Sequence, residues 1–385
     1  MSVQDSSQSV TVRDVMAVME EAYPLSFAED WDHPGIVCGD PDDVVKKIVF
    51  AVDLTPLVLD MALAAGADMV ITHHPVLFRA VHTVASNTPK GALIHRAIQA
   101  GCTLYCAHTN ADNACPGVND ALAQALGLVV ERPLVPLYPN ALDRWIVHVP
   151  GSHVRAVQET VFTAGAGALG DYSECSFRVD GTGQFRPQSG AQPYVGNAGR
   201  LETVMEARLE FVAPRALRST VKEALLASHP YEEPSYDILE SEAMPPEGDL
   251  SGMPGSGKIC SLPEPLTLRE FTDRVADALP DTVWGVRAAG DPGTLIKTVA
   301  ICGGAGGSYL GTVISAGVDC FVSSDLRHHP VDDYLQADGT CVIDTAHAAS
   351  EYPWLEQAAD LIEEHLSVAT EVLQICTDPW TIHSK

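Results

Sequence analysis

Apolar positions in the first 130 residues alternate between helical spacing and short unbroken runs. Val12, Val15, Met16, Val18 and Met19 recur at helical intervals, which predicts an amphipathic helix over 11–23 that Pro24 ends. A polar loop over 27–39 follows, leading into a short strand. The apolar run 48–54 predicts a buried strand, 58–65 a helix closed by Gly66, and 67–72 the next strand. That β-α-β order implies parallel strands joined by a right-handed crossover. After a loop over 76–90, a helix over 91–100 ends at Gly101, a strand spans 103–107, and a helix over 117–126 ends at Gly127.

The same pattern returns in the last third of the chain. Residues 45–52 resemble 296–303, and 65–74 match 316–325, so that His74 and Asp325 fall at equivalent strand ends. Residues 100–105 then lead to His108 and Asp112 much as 338–343 lead to His347 and Glu351. The chain thus reads as two related β-α-β halves whose strand ends converge on a shared site.

The stretch between the halves has another character. It reads as strand (145–149), helix (153–164), Gly-rich loop, strand (201–212), helix (214–228) and strand (236–239), taken as a β-α-β-β-α-β order. The expectation is a small α+β, ferredoxin-like domain over 141–243, inserted between core halves at 1–140 and 244–385. Its flanks, 133–140 and 244–257, are rich in Pro and Gly and read as linkers.

Composition narrows the class. Hydrophobic residues make up 46% of the 385 and aromatics 6%, a balance that fits an α/β enzyme of more than one domain. No apolar run approaches bilayer length and residues 1–10 carry no apolar signal core, so a cytoplasmic protein without membrane contact is expected. A net charge of −28 repels phosphate backbones and argues against nucleic acid as a partner. The ten cysteines form no C-x-x-C pair and read as reduced, mostly buried thiols.

The candidate chemistry sits at the strand ends. His73 and His74 close the apolar run 67–71, where an open α/β sheet places its ligands. Neighbouring residues on a strand point to opposite faces, so one of the pair could simply be packed. Two further stretches favour metal ligation: 106–112 and 346–351 each place a carboxylate four residues after a histidine, on one face if the chain turns helical. Asp32 and His33 read as solvated loop residues that could line a site. The Gly-rich runs 165–170 and 181–183 could cradle a phosphate but fit no P-loop, and 303–307 lacks a dinucleotide fingerprint. A tight turn beside the metal cleft accounts for the last of these.

Taken together, Thr-His-His-Pro (72–75), His-Thr-Asn-Ala-Asp (108–112), Ser-Ser-Asp-Leu-Arg-His-His (323–329) and Ala-His-Ala-Ala-Ser-Glu (346–351) resemble the NIF3-like (DUF34) dinuclear metal proteins. Some of these are known as GTP cyclohydrolase 1 type 2 homologs. Segments 164–167, 175–177, 181–187 and 229–234 resemble the PII/CutA-like insert of the longer bacterial members. The resemblance implies a NIF3-like α/β core in which His73, His74, Asp112, His347 and Glu351 hold two divalent cations, with Asp112 and Glu351 bridging. Mixed N/O ligation suits Zn, Fe, Mn, Co or Ni. His108 is either a donor behind Asp112 or an acid/base at the site, and Glu351 is a second proton carrier. Asp325 and His329 match a Gly-Asp-x-x-x-His stretch in which Ser324 replaces the glycine, while His328 reads as a surface residue. The implied function is hydrolysis of a purine nucleotide by a metal-bridging hydroxide, in a homohexamer. The alternative is a metal-binding regulatory or scaffold protein forming a toroid.

Overall fold

The apolar runs of the first half become the neighbouring parallel strands Lys47–Ala51, Met69–Thr72 and Thr103–Cys106. Nearly every side chain in them is buried, and burial on both faces is why they read as unbroken apolar runs. The structure is a computed structural model and describes residues 9–138, 141–241 and 248–384. Thr55 and Thr88 cap the connecting helices Pro56–Ala64 and Pro89–Ala100, each accepting from a backbone N–H three residues on. Gly101 ends the second helix at φ 67, a left-handed turn that suits glycine.

Two sheets share this organisation. The first runs Gly35–Cys38, Thr103–Cys106, Met69–Thr72, Lys47–Ala51, Ala369–Val372. The second runs Arg287–Ala289, Cys341–Thr345, Cys320–Ser324, Leu295–Ala305, Gly255–Thr267, Val129–Pro136. In each, three parallel strands are flanked by an antiparallel strand beside the last of them. One carboxylate recurs as well: Asp68 accepts from the Lys46 and Lys47 amides, and Asp319 from those of Lys297 and Thr298. The strand Ala369–Val372 pairs with Lys47–Ala51 of the opposite half. Helices Val12–Ala22 and Pro353–His365 pack in one core with Ile48, Phe50, Met69 and Ile71.

The chain divides into two compact units, Met1–Leu137 with Pro246–Lys385, and Tyr138–Pro245. The second contains an antiparallel sheet ordered Ser176–Phe185, Glu202–Pro214, Leu142–Pro150, Tyr236–Glu240. Helices Val154–Thr163 and Arg218–Ser228 cover it through Trp145, Val157, Leu209 and Leu225.

Three expectations change. The stretch read as Gly-rich loop contains the strand Ser176–Phe185, so 181–183 lies in a ladder rather than a phosphate-binding turn. That strand is exposed almost throughout, and an exposed strand leaves no apolar period to read. Residues 133–136 and 255–257 are no linkers but strand, Val129–Pro136 pairing with Gly255–Thr267. Val129–Pro136 is an edge strand, where proline costs no ladder hydrogen bond. Asp32 is buried and not solvated, whereas His33 is exposed. The readings at 1–8, 139–140 and 242–247 lie outside the described residues.

Among the described residues the ten cysteines are free, six of them buried, and no helix is long and apolar enough to cross a membrane. In the second unit, Asp143 is fully buried and accepts from Arg218 at 2.6 and 2.9 Å and from Arg215 at 3.3 Å. Burial works against its carboxylate, but the Arg218 hydrogen bond outweighs that and lowers its pKa. A depressed carboxylate contributes stability above its unfolded pKa of about 3.9, and that stability is lost as pH falls through the folded value. Asp143→Ala, which removes the buried carboxylate but leaves Arg215 and Arg218 half-buried and still beside Glu240, is expected to cost about 1–3 kcal/mol at neutral pH in urea unfolding, with the gap from the parent closing under acid.

Candidate metal centre

Each histidine and carboxylate of the site follows a buried strand. His73 and His74 come directly after Met69–Thr72, where Thr72 Oγ1 donates to the His74 carbonyl at 2.8 Å and fixes the turn. Asp112 lies on the short helix Thr109–Asn113 after Thr103–Cys106. His347 and Glu351 are the first and last residues of a one-turn helix after Cys341–Thr345. The carboxyl ends of parallel strands are where open sheets place ligands, and here two sheets contribute.

Glu351 is 3% exposed and stands at the centre. Its Oε1 is 3.1 Å from His347 Nε2 and 3.5 Å from His73 Nε2, and its Oε2 is 3.0 Å from His74 Nε2. Asp112 Oδ1 is 3.7 Å from His73 Nε2. Donor atoms of His73, His74 and His108 lie within 4.8 Å of one another, as do those of His74, His347 and Glu351, so the two groups overlap at His74.

The opposite ring nitrogens are all committed. His73 Nδ1 donates to the Ala107 carbonyl at 2.9 Å, His74 Nδ1 to Asp53 at 2.7 Å, His347 Nδ1 to Asp325 at 2.7 Å, and His108 Nδ1 to Asp32 at 2.9 Å. Carbonyls and carboxylates only accept, so the proton sits on Nδ1 and a neutral ring turns an Nε2 lone pair toward the cluster. Asp53 is tied further by Thr377 Oγ1 at 2.6 Å, and Asp32 by the Thr109 amide and hydroxyl. Such outer carboxylates fix the tautomer and orientation of metal-binding imidazoles.

Lone pairs therefore face lone pairs across 3.0–3.1 Å, between Glu351 and both His74 and His347. That contact requires positive charge. With protons alone supplying it, burial of His74 opposes charging, yet Glu351 and Asp53 outweigh this and push its pKa up to about 10. His347 follows the same logic against Glu351 and Asp325, up to about 11. Burial raises Asp112, and Glu351 raises it further, to about 7. Burial resists the Glu351 charge, but His74, His347 and His73 hold it well below the usual carboxylate range. His73 Nε2, Asp112 Oδ1 and Glu351 Oε2 are buried with no hydrogen-bond partner.

This donor set fits a divalent cation. Bonds of about 2.1 Å to one ion leave N and O donors roughly 3–3.5 Å apart, the spacing around Glu351. The three orphaned atoms are the ones a cation would satisfy. Gly304, at φ 65, lets the backbone approach: a Cβ there would strike the Glu351 carboxylate and lie 3.1 Å from His347 Nε2. The glycine run thus borders the cleft, although Leu295–Ala305 continues as strand through Gly303 and Gly304. Ser324, in place of the expected glycine, is buried and bonded to Thr345 and Ser350, and the Ser350 hydroxyl accepts from the Gly304 amide.

The structure brings His73, His74, Asp112, His347 and Glu351 together. It places the His108 ring with His73 and His74, turned to Asp32 rather than supporting the Asp112 side chain. Asp325 reaches the site through His347, at φ 55, while His328 and His329 are both exposed. Sequence reasoning missed the roles of Asp53 and Asp32. Asp53 is the one charged residue in the apolar run 48–54, the signal that marks it. Asp53→Asn or Asp325→Asn is expected to weaken metal affinity by about 10–100-fold with the fold retained, measured by competition with a chelating indicator.

Comparison with known proteins places these features. The family described as Duf34/NIF3 (NGG1p interacting factor 3) matches residues 10–379. A Mycobacterium tuberculosis protein named GTP cyclohydrolase 1 type 2 homolog is 50% identical over 378 residues, covering 97% of each chain. A Bacillus subtilis protein of the same name is 36% identical over 345 residues, 90% of each. The crystal structure of a Bacillus cereus protein related to NIF3 superposes with a TM-score of 0.66 at 32% identity, over 98% of this chain and all of that one.

Proposed function

Because this chain belongs to the Duf34/NIF3 family, we propose that its histidine–carboxylate cluster holds two divalent transition-metal cations and that the protein is a hydrolase acting on a purine nucleotide. The observation that carries the reading is Glu351, a buried carboxylate set among the Nε2 atoms of three histidines. His73, His74, Asp112, His347 and Glu351 would hold the two cations. Cations so placed supply Lewis acidity and lower the pKa of water toward neutrality. His108, oriented by Asp32, presents Nε2 to the site and accepts the proton of the attacking water, while Asp53 and Asp325 keep His74 and His347 in the ligating tautomer. The purine nucleotide follows the name borne by the mycobacterial and Bacillus relatives.

The second unit, in this reading, is a ferredoxin-like, PII/CutA-like domain inserted between the core halves. Its β-α-β-β-α-β order and antiparallel sheet support that assignment. Homohexameric assembly and a cytoplasmic location complete the proposal.

The test is turnover of GTP and a panel of purine nucleotides by metal-loaded protein, beside Asp112→Ala. The hydrolase reading expects product from the parent, at least about 100-fold less from the variant, and the same oligomer for both by light scattering. An inert parent, with an assembly that changes in the variant, would leave the metal-binding scaffold in its place.

A further inference from the structure

A cavity of about 450 Å³ lies beside the metal centre, lined by His74 and His347 at one part of its wall and by Trp284 and Trp380 at another. Trp284 is fixed. Its Nε1 donates to Asp344 at 3.2 Å, and the Arg287 guanidinium, itself paired with Asp344, covers the ring at 4.6 Å from the centroid. Trp380 lies 6.0 Å from Trp284, inclined by 34°, and remains 60% exposed. An indole left open at the rim of a polar, metal-ligating cleft is a stacking surface for a flat ring.

The polar groups of the same wall narrow the ligand. Asp378 Oδ1 accepts from the Trp380 amide at 3.2 Å and so positions the indole. Its Oδ2 is buried with no partner, an acceptor that lacks a donor. Lys90, exposed at the edge of the cavity, supplies a cation for an anionic tail, while the lining carboxylates Asp53 and Asp325 are each already paired with a histidine. A ring with an N–H edge satisfies Asp378, whereas a ring bearing its own carboxylate would be repelled by it.

Resting on the hydrolase reading, we propose that this cavity is the recognition subsite of the metal centre, taking a planar N–H-bearing nitrogen heterocycle that stacks on Trp380, donates to Asp378 and extends toward His74 and His347. Trp380 and Asp378 are recognition residues here and Lys90 favours ligands that carry phosphate. The cluster alone explained metal chemistry; this wall supplies a basis for choosing a substrate.

Binding is measured by calorimetry on the full-length protein as purified, with guanosine, adenosine and uridine as ring-bearing probes and ribose 5-phosphate as the ringless one. Guanosine, with two adjacent N–H donors, is expected to bind at least about tenfold more tightly than ribose 5-phosphate. Trp380→Ala is expected to weaken it about tenfold or more, and Trp380→Phe to restore binding to within about threefold, at unchanged metal content. Parent-like guanosine affinity in Trp380→Ala, or no nucleoside binding to the parent, would overturn the subsite. Turnover separates the two readings. A parent that binds guanosine through Trp380 yet hydrolyses no nucleotide keeps the subsite and loses the hydrolase; a hydrolase whose KM is untouched by Trp380→Ala does the reverse.

Discussion

Glu351→Ala protein is expected to bind divalent transition metals at least about 100-fold more weakly than the parent, since outer carboxylates alone are worth about 10–100-fold. Among the described residues Glu351 is the one carboxylate within 3.5 Å of three histidine Nε2 atoms, so its loss removes the carboxylate of the His74–His347 group and an oxygen that also lies near His73. Its place is held by geometry that the substitution leaves intact: a one-turn helix after a buried strand, packed beside Gly303 and Gly304. Far-ultraviolet circular dichroism should match the parent. Glu351→Gln sharpens the test, because it keeps the shape and removes only the charge. Parent-like affinity in either variant would show that Glu351 is not a metal ligand.

The second large effect is on stability. Trp354 is fully buried on the helix Pro353–His365, edge-on to Tyr23 at 5.6 Å and 5.4 Å from the His73 ring. It belongs to the core that joins this helix to Val12–Ala22 and the first sheet. Trp354→Ala leaves a cavity in the middle of that core and is expected to cost about 3–5 kcal/mol, read as a lower midpoint in urea. The gap also frees His73 on one side, so metal affinity falls with stability. A loss below about 1 kcal/mol would mean that the helix does not anchor the first sheet.

What could be read before the structure was known follows from burial. Strands buried on both faces announce themselves as apolar runs, and glycines such as Gly66, Gly101 and Gly127 mark where the intervening helices stop. Hence the histidines and carboxylates at those strand ends were legible with their spacing. The exposed strand Ser176–Phe185 and the proline-bearing edge strand Val129–Pro136 carry no such signal and were read as loop and linker. Outer partners are harder still. Asp32 meets His108 across 76 residues of chain, and Asp53 meets His74 across 21, so either carboxylate is one among 51 until the fold closes. The left-handed backbone of Asp325 likewise leaves no mark on the sequence. The strand Ala369–Val372 crosses to the opposite sheet and carries Thr377 to Asp53, a contact that no local pattern encodes.

The most direct test of the account is elemental analysis of the purified chain beside Asp112→Ala and Glu351→Ala. About two equivalents of a divalent transition metal per chain in the parent, lost from both variants, is the predicted result. A parent without metal even after reconstitution, its histidines still facing Glu351, would contradict it.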